Sequence, residues 1–301
     1  MKPSRYIASQ LRENRSLYIM LSISVAFMLL FVYYPFVQGI RIAFFDFSFI
    51  SESKFIGLTH FKKLLSDEKF INAFGNTIIF GVFNCFLGVV LPAAMAVLLN
   101  EVSFKAPKRI FQTIIYLPTL FSWVIIGSIF VLLLSPTVGP VNALLEHLGI
   151  EPIYFFAEEK LAKPLFIILG QWKSVGFGLI VYLAAITGID QTLYEAAEVD
   201  GATRFKKIIH ITIPCIKTTM KMMLMFGIIG ILSLFDQVFV LNNGMINREV
   251  NVVMTYIYGT GIAQLKLGYA AAAGLVVGAV TLTFTLISKR LLKFGFESEE
   301  G

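Results

Sequence analysis

Six long apolar blocks, separated by polar segments, set the pattern of this chain. The blocks cover residues 17–37, 74–99, 110–134, 164–187, 219–241 and 267–288. Each has about the 20 largely apolar residues that a helix needs to cross a hydrocarbon layer of roughly 30 Å. The pattern predicts an all-α, polytopic membrane protein with six transmembrane helices. The polar segments are too short for a separate soluble domain, so residues 1–301 are predicted to form a single transmembrane domain.

The distribution of Lys and Arg residues predicts the orientation of the helices across the membrane. With the N-terminus inside, the cytoplasmic segments hold fifteen of the 25 Lys and Arg residues. These are Lys2, Arg5, Arg12, Arg15, Lys105, Lys108, Arg109, Arg204, Lys206, Lys207, Lys217, Lys221, Lys289, Arg290 and Lys293. Since cytoplasmic segments of membrane proteins are enriched in these residues, both termini and the segment 188–218 are predicted to be cytoplasmic.

The outer segments carry local signals of their own. In the segment 38–73, the apolar positions 58, 61, 64 and 65 fall on one helical face, which predicts a helix at the membrane interface or against the bundle. The segment 135–163 is punctuated by Pro and Gly, and Asn242-Asn243-Gly244 is typical of a turn.

Composition excludes several classes of function. The chain is 57% hydrophobic and 15% charged, unlike a soluble domain, and its net charge of +6 reflects topology rather than a nucleic-acid surface. Membrane lipid is therefore an expected partner and nucleic acid is not. Cys85, Cys215 and three scattered histidines suggest no disulfide and no metal site. Neither a phosphate-binding glycine motif nor a catalytic motif is present, so no catalytic residue is assigned and an enzyme is not expected.

The cytoplasmic segment 188–218 is the most informative part of the sequence. Residues 193–213 favour two short helices, with Gly201 as a permissive corner between them and Pro214 at the entry to the next span. Physical reasoning alone leaves two interpretations open. The segment either displays a surface to a soluble partner or rests on the lipid surface, with Arg204, Lys206 and Lys207 near anionic headgroups.

The residues of this segment and their spacing resemble a motif of one protein family. Glu195-Ala196-Ala197, then Gly201, Ile211 and Pro214, have the spacing of the cytoplasmic motif of permease subunits in binding-protein-dependent ABC importers, with Ile213 where Leu is usual. Other stretches are similar to the carbohydrate (MalF-like) branch. They are Gly57-Leu58-Thr59-His60-Phe61, with His60 where Asn is usual, Asp200-Gly201-Ala202, Phe235-Asp236-Gln237 and Gly268-Tyr269-Ala270.

The resemblance implies a function that the composition does not. It implies a type I ABC importer permease fold in a bacterial inner membrane, with 188–218 as the coupling loop. Glu195, Ala196, Ala197, Gly201, Ile211 and Pro214 would form the contact with an ATPase. The implied partners are a second six-span permease, two ATPase subunits or domains that hold ATP and Mg²⁺, and an extracellular solute-binding protein that delivers a sugar. No cofactor is expected in this chain.

The sequence also leaves functions other than sugar import open. The nearest is a permease of the same importer class for a non-sugar solute such as glycerol phosphate or a peptide. A channel or secondary transporter would work without an ATPase, which the cytoplasmic motif argues against. A membrane-embedded enzyme would need an acid/base or metal constellation that the sequence lacks.

Two charges interrupt the fourth and fifth apolar blocks. Lys173 and Asp236 are expected at depths of about 14 and 8 Å from the outer surface. Charges at such depths usually face a cavity or each other, although Lys173 could snorkel to headgroups and Asp236 could make a structural hydrogen bond. With the resemblance, the predicted substrate path comprises Trp172, Lys173, Ser174, Phe177, Ser233, Asp236 and Gln237. Trp172, Ser174, Ser233 and Asp236 are expected to line one cavity with the partner permease, and Lys173 and Asp236 to be close enough to pair.

The topology can be tested by cysteine labelling. An impermeant thiol reagent added to sealed cells should modify Asn247→Cys and Pro136→Cys, because both positions are predicted to be outside. It should leave Ser4→Cys and Ser298→Cys unmodified until the cells are opened. Modification of Ser4→Cys in sealed cells would overturn the assigned orientation.

Overall fold

The computed structural model describes residues 14–48, 52–102 and 104–292, so the basic residues Lys2, Arg5, Arg12 and Lys293 and the test positions Ser4 and Ser298 lie outside the described residues. Its helices are α1 (Arg15–Ala43), α2 (Thr59–Leu65), α3 (Glu68–Asn100), α4 (Lys105–Leu120), α5 (Trp123–Leu133), α6 (Pro140–His147), α7 (Glu159–Thr187), α8 (Gln191–Val199), α9 (Arg204–Ser233), α10 (Asp236–Leu241), α11 (Asn247–Val250), α12 (Val253–Tyr258) and α13 (Leu267–Leu292). Strands β1 (Phe45–Asp46) and β2 (Lys54–Phe55) form an antiparallel pair.

Five of the predicted spans are helices long and apolar enough to cross a membrane. They are α1, α3, α7, α9 and α13, and the bent pair α4–α5 makes a sixth span if the two helices are counted together. The all-helical class is confirmed, and the count of six spans is compatible with this arrangement.

The third predicted span, 110–134, is not one straight helix. It divides into α4 and α5, which are bent by 105°. Pro118 lies near the end of α4, Phe121 is extended, and Ser122 caps α5 by accepting a hydrogen bond from the Ile125 N–H. A proline removes a backbone donor, and a serine at the N-cap starts a new helix, so this sequence favours a break inside an apolar block.

The fifth span is shifted along the chain relative to the predicted block 219–241. Helix α9 starts before it at Arg204 and ends at Ser233, and Leu234 and Phe235 separate it from the short helix α10. The Ser233 hydroxyl donates to the Gly230 carbonyl at 2.8 Å, which satisfies one of the carbonyls that the end of a helix leaves free.

The described chain falls into two compact units. The larger comprises Ser66–Tyr256 with Val277–Gly301, apart from its undescribed positions. Its central helix α3 packs along α7 and α9, and its core has two buried clusters. One is built around Phe80, Phe166 and Val238, and the other around Ala96, Tyr182 and Ile216.

Glycines bring the helices of the larger unit close together. A Cβ on Gly81 would lie 2.3 Å from the Ile231 side chain, and one on Gly178 would lie 2.6 Å from the Pro92 ring. Small residues at such crossings allow the close van der Waals contact on which helix association in membranes depends.

The smaller unit comprises Met1–Leu65, apart from its undescribed positions, with Ile257–Val276. The helix predicted in the segment 38–73 is present as α2. Its His60 is buried, with Nε2 3.1 Å from the Phe45 carbonyl oxygen and its ring edge-to-face with Tyr269. A Cβ at Gly268 would lie 2.4 Å from the same carbonyl oxygen, so glycine is required there.

The contact between α3 and α7 can be tested by overpacking. Gly178→Leu should lower stability by about 1–3 kcal/mol, because the rigid Pro92 ring cannot move aside. A drop of several degrees in the melting temperature of the purified protein is expected. The control is Gly75→Leu on α3, where a Cβ meets nothing within 4 Å. Equal melting temperatures for the two variants would contradict the packing described here.

Candidate functional site

The loop between α7 and α9, which the sequence predicts to be cytoplasmic, begins with a well-capped helix. Asp190 is the N-cap of α8, and its carboxylate accepts a hydrogen bond from the Thr192 N–H at 2.9 Å. This bond lowers the pKa of Asp190. Glu195 and Ala196 are exposed on α8, and Ala197 is half-buried. The two alanines leave a slim helix surface that a partner can approach closely.

Gly201 ends α8 in the left-handed conformation. Its φ is +73°, the Ala202 N–H donates to the Ala197 carbonyl at 2.8 Å, and the Gly201 N–H donates to the Glu198 carbonyl at 3.0 Å. This pair of bonds is the Schellman motif, which favours glycine because a Cβ is strained at positive φ. The predicted corner at Gly201 is therefore present.

The second half of the loop differs from the prediction of two short helices. Thr203 caps α9, which then runs without a break to Ser233 through a π-helical turn at Ile208–Thr212. Pro214 lies within this continuous helix, two residues after the π-turn. The loop's second helix is therefore the start of the fifth span. A sequence pattern of apolar and basic residues does not distinguish a short helix from the first turns of a long one.

Two contacts fasten the loop to the transmembrane helices. The Tyr194 hydroxyl lies 2.9 Å from the buried Thr212 hydroxyl. Ile211 packs against the same buried cluster as Ile189 and Ile216. These contacts join α8 to α9 and to the end of α7, so the loop is held as part of the transmembrane structure.

An ion pair also bridges the two sides of the Gly201 corner. The Lys207 ammonium donates to the Glu198 carboxylate, which lowers the pKa of that carboxyl. Because the folded pKa lies below the unfolded one, the stabilisation is present near neutral pH and is lost as the pH falls through the lowered value.

Two apolar side chains of the loop are strongly exposed. Val199 at the end of α8 is 89% exposed, and Phe205 in the first turn of α9 is 71% exposed. The sequence motif did not include them, although an apolar residue in a charged loop is a usable signal. With Glu195 and Ala196, they give the loop a surface suited to a protein partner.

The path residues predicted on α7 point in different directions. Trp172 packs edge-to-face against Phe130 of α5, with ring centroids 5.2 Å apart. Two residues along a helix are about 200° apart, so Ser174 lies on another face, where it and Phe177 are exposed. The expectation that Trp172 and Ser174 share a cavity with Ser233 and Asp236 stays a prediction about the assembled importer.

Lys173 does not pair with Asp236 within the described chain. Its ammonium lies 5.5 Å from the centre of the Trp123 ring, and the Thr119 hydroxyl donates to its backbone carbonyl. Position 173 therefore faces α4 and α5, and Asp236 is exposed at the start of α10. A cation over an indole ring is an alternative way to accommodate the charge.

Gln237 belongs to a cluster of side-chain amides with Gln171 and Asn84. Of these three, only Gln237 was among the predicted path residues. Its side-chain amide donates to the Phe166 carbonyl, and the Gln171 amide donates to the Asn84 side-chain oxygen at 2.9 Å. Gln171 and Gln237 are 6% and 2% exposed, and the Gln171 side-chain oxygen has no hydrogen-bond partner among the described residues. Asn84 was not predicted, although a side-chain amide inside an apolar block is a signal for function.

A cavity of about 270 Å³ lies beside this cluster. It is lined by Gly81, Asn84, Cys85, Gly227, Gly230, Ile231, Ser233 and Leu234. Of the predicted path residues, Ser233 lines it. Across the described part of the chain, no group of three His, Cys, Asp or Glu side chains is placed to hold a metal ion.

Comparison with known proteins gives one consistent family. Residues 88–294 match the family model described as "Binding-protein-dependent transport system inner membrane component". The chain is 38% identical to the polygalacturonan/rhamnogalacturonan transport system permease protein YteP of Bacillus subtilis (strain 168), over 97% of this chain and 91% of that protein. It is 32% identical to the arabinooligosaccharides transport system permease protein AraP of the same organism, over 80% and 77% of the two chains.

Solved structures agree with this assignment. A chain of a bacterial ABC transporter involved in the import of the acidic polysaccharide alginate has a TM-score of 0.90 at 33% identity, covering 97% of this chain and 100% of that one. A second structure is the bacterial alginate ABC transporter in complex with an alginate pentasaccharide-bound periplasmic protein, with a TM-score of 0.88 at 34% identity, covering 95% and 98%. The predicted ABC importer permease fold is confirmed. The chain belongs to the family of inner membrane components of binding-protein-dependent transport systems, as a multi-pass membrane permease.

Proposed function

We propose that this chain is one of two permease subunits of an ATP-driven oligosaccharide importer. The observation that carries the proposal is the loop between α7 and α9. Its exposed surface carries the apolar side chains Val199 and Phe205, and Tyr194 fastens it to the transmembrane helices. Two ATPase subunits bind this surface from inside and hold ATP and Mg²⁺. The chain itself transports without catalysing, and both termini lie on the ATPase side.

The loop acts as a lever between the ATPases and the transport path. Helix α9 starts at the loop and continues to Ser233, about 45 Å away along its axis. Helix α7 ends at Thr187, and only three residues separate it from the start of α8 at Gln191. A displacement of α8 is therefore transmitted to the fourth and fifth spans together, and these spans carry the proposed path residues.

The substrate is an oligosaccharide delivered by an extracellular solute-binding protein. The names of the relatives support this class, since they concern polygalacturonan, arabinooligosaccharides and diacetylchitobiose. Trp172 and Phe177 offer aromatic faces, and Ser174, Ser233, Asp236 and Gln237 offer hydrogen-bonding groups, which together suit a molecule with apolar ring faces and many hydroxyls. A second six-span permease completes the path.

Reconstitution tests the proposed function. The chain, its partner permease and the ATPases are incorporated into proteoliposomes, and the solute-binding protein is added outside with labelled oligosaccharides. Sugar should accumulate inside only when ATP is supplied to the ATPase side. Sugar entry at the same rate without ATP would indicate a channel or a secondary transporter instead.

Gly201 should be required for coupling rather than for membrane insertion. Gly201→Val places a β-branched residue at a φ of +73°, which costs roughly 1–2 kcal/mol and distorts the corner. Uptake should fall several-fold, and less ATPase should co-purify. Gly201→Asn is the matched control, because asparagine tolerates this conformation, and it should retain most of the uptake. Equal uptake by the two variants would show that the corner is not needed.

Charge reversal in the loop should weaken ATPase binding. Glu195 is an exposed carboxylate on the slim face of α8, and we expect it to meet a basic residue of the ATPase. Glu195→Arg should therefore reduce the amount of ATPase that co-purifies with the permease. Glu146→Arg makes the same change on exposed α6, in a predicted outer segment, and should have no such effect. Undiminished ATPase binding by Glu195→Arg would remove Glu195 from the proposed contact.

A further inference from the structure

The cavity between α3 and the end of α9 has a polar wall that the predicted path did not include. Asn84 of α3 and Ser233 of α9 both line it, together with glycines and apolar side chains. The Asn84 side-chain oxygen accepts from Gln171, which leaves its NH₂ group without a hydrogen-bond partner among the described residues. The Ser233 hydroxyl donates to the Gly230 carbonyl, so its oxygen lone pairs remain available. A donor and an acceptor therefore face the same space.

The orientation of Asn84 is fixed by buried groups behind it. Gln171 is 6% exposed and donates to the Asn84 oxygen at 2.9 Å. A Cβ at Gly170 would lie 3.0 Å from the Gln237 side-chain oxygen and 3.7 Å from the Asn84 side-chain oxygen. The missing side chain at Gly170 thus lets amides from α3, α7 and α10 converge. A hydrogen-bonded partner of this kind holds a binding group in one rotamer.

Glycines keep the cavity open. A Cβ at Gly81 or Gly227 would lie within 3 Å of Ile231 or Cys85, so these positions set the spacing of α3 and α9. Gly230 is different, because the nearest atom to its Cβ position is the Ser233 hydroxyl oxygen at 3.9 Å. The space beside Gly230 is therefore unfilled rather than tightly packed.

We propose that this cavity is a subsite of the transport path that binds one uncharged sugar ring, with the Asn84 NH₂ donating to a ring hydroxyl and the Ser233 oxygen accepting from one. The proposal rests on the proposed function and adds the second span, through Asn84, to the path. The cavity volume of about 270 Å³ is below the roughly 300–1,000 Å³ of sites for drug-sized ligands. This volume suits a single sugar ring.

The chemistry of the lining restricts the class of sugar. All eight lining residues are uncharged. A uronate carboxylate placed there would lose its hydration and find no cation, which is costly in a membrane-embedded site. Neutral amide and hydroxyl groups instead match the alternating donors and acceptors of a neutral ring. We expect the importer to prefer neutral oligosaccharides to uronate oligomers.

Filling the cavity is the first test. In the reconstituted importer with its solute-binding protein, Gly230→Val should reduce uptake of labelled neutral trisaccharides about tenfold or more, because the added methyls occupy the space of the ring. Gly88→Val is the matched control, since a Cβ there also meets nothing within 4 Å. The probes are trisaccharides of arabinose, xylose and glucose, with trigalacturonate as the acidic comparison.

Removing the donor is the second test, and it is independent of the first. Asn84→Ala should lower the uptake rate at limiting sugar about tenfold, the effect of losing one well-placed hydrogen bond and leaving Gln171 unpaired. Asn84→Gln, which restores an amide, should recover part of the rate. Co-purification of the partner permease and ATPases shows whether each variant assembles.

The native thiol at Cys85 reports occupancy directly. Cys85 lines the cavity, and Cys215→Ser leaves it as the single cysteine of the chain. N-ethylmaleimide modification of Cys85 in the assembled importer, followed by mass measurement of this chain, should be slower when an imported neutral trisaccharide is present at saturation. The same sugar should not slow modification in Gly230→Val, where the ring is excluded.

The outcomes separate the subsite from the proposed function. Neutral uptake by the wild-type importer, lost in Gly230→Val and Asn84→Ala but kept in Gly88→Val, supports the subsite. Normal uptake by both cavity variants, or unchanged Cys85 modification, overturns it while the proposed function stands. Faster uptake of trigalacturonate than of every neutral probe overturns the uncharged ring. ATP-dependent uptake of none of the probes overturns the proposed function as well.

Discussion

Backbone hydrogen bonding inside a hydrocarbon layer is the constraint on which this structure depends. Every buried N–H and C=O must find a partner within the protein, so the apolar blocks become helices. The same constraint makes each helix break costly unless side chains or neighbouring helices take over the freed groups. The two breaks inside apolar blocks, at Phe121–Ser122 and at Leu234–Phe235, are both attended by serines that bond to nearby backbone groups, Ser122 and Ser233. Both breaks lie close to residues of the proposed path.

The sequence predicted the features that depend on local hydropathy and on short sequence motifs. Hydropathy located the apolar blocks, and the Glu195-Ala196-Ala197 motif with Gly201 located the loop and its positive φ. The bend of the third span was not predicted, because Pro118 alone does not distinguish a kinked helix from two helices. The amide cluster was also missed in part, since Asn84 and Gln171 are 87 residues apart and meet only through helix packing. Among the described residues no ion pair joins Lys173 to Asp236. Similar depth in the membrane does not decide which helix face a residue occupies, so the sequence alone could not establish such a pair.

The larger unit combines close packing with a cavity, and glycines are responsible for both. Where Gly81 and Gly178 meet a neighbour directly, the helices are in contact, and any side chain would force them apart. Where Gly230 meets no near neighbour, the same residue type leaves room. The two situations cannot be separated in the sequence, where these positions are all glycines in apolar helices.

The continuity of α9 has a consequence for how insertions and deletions would be tolerated. In an unbroken helix, one added or removed residue rotates everything beyond it by about 100° and shifts it by about 1.5 Å. The π-turn at Ile208–Thr212 holds one residue more than an α-helical turn. It therefore rotates the residues that follow, and with this rotation Thr212 reaches Tyr194. We therefore expect an insertion or deletion between Thr203 and Ser233 to be as disruptive as a substitution of the residues that make these contacts. The chain between α5 and α7, which holds the short helix α6 and several turns, can change in length without turning either flanking helix about its axis.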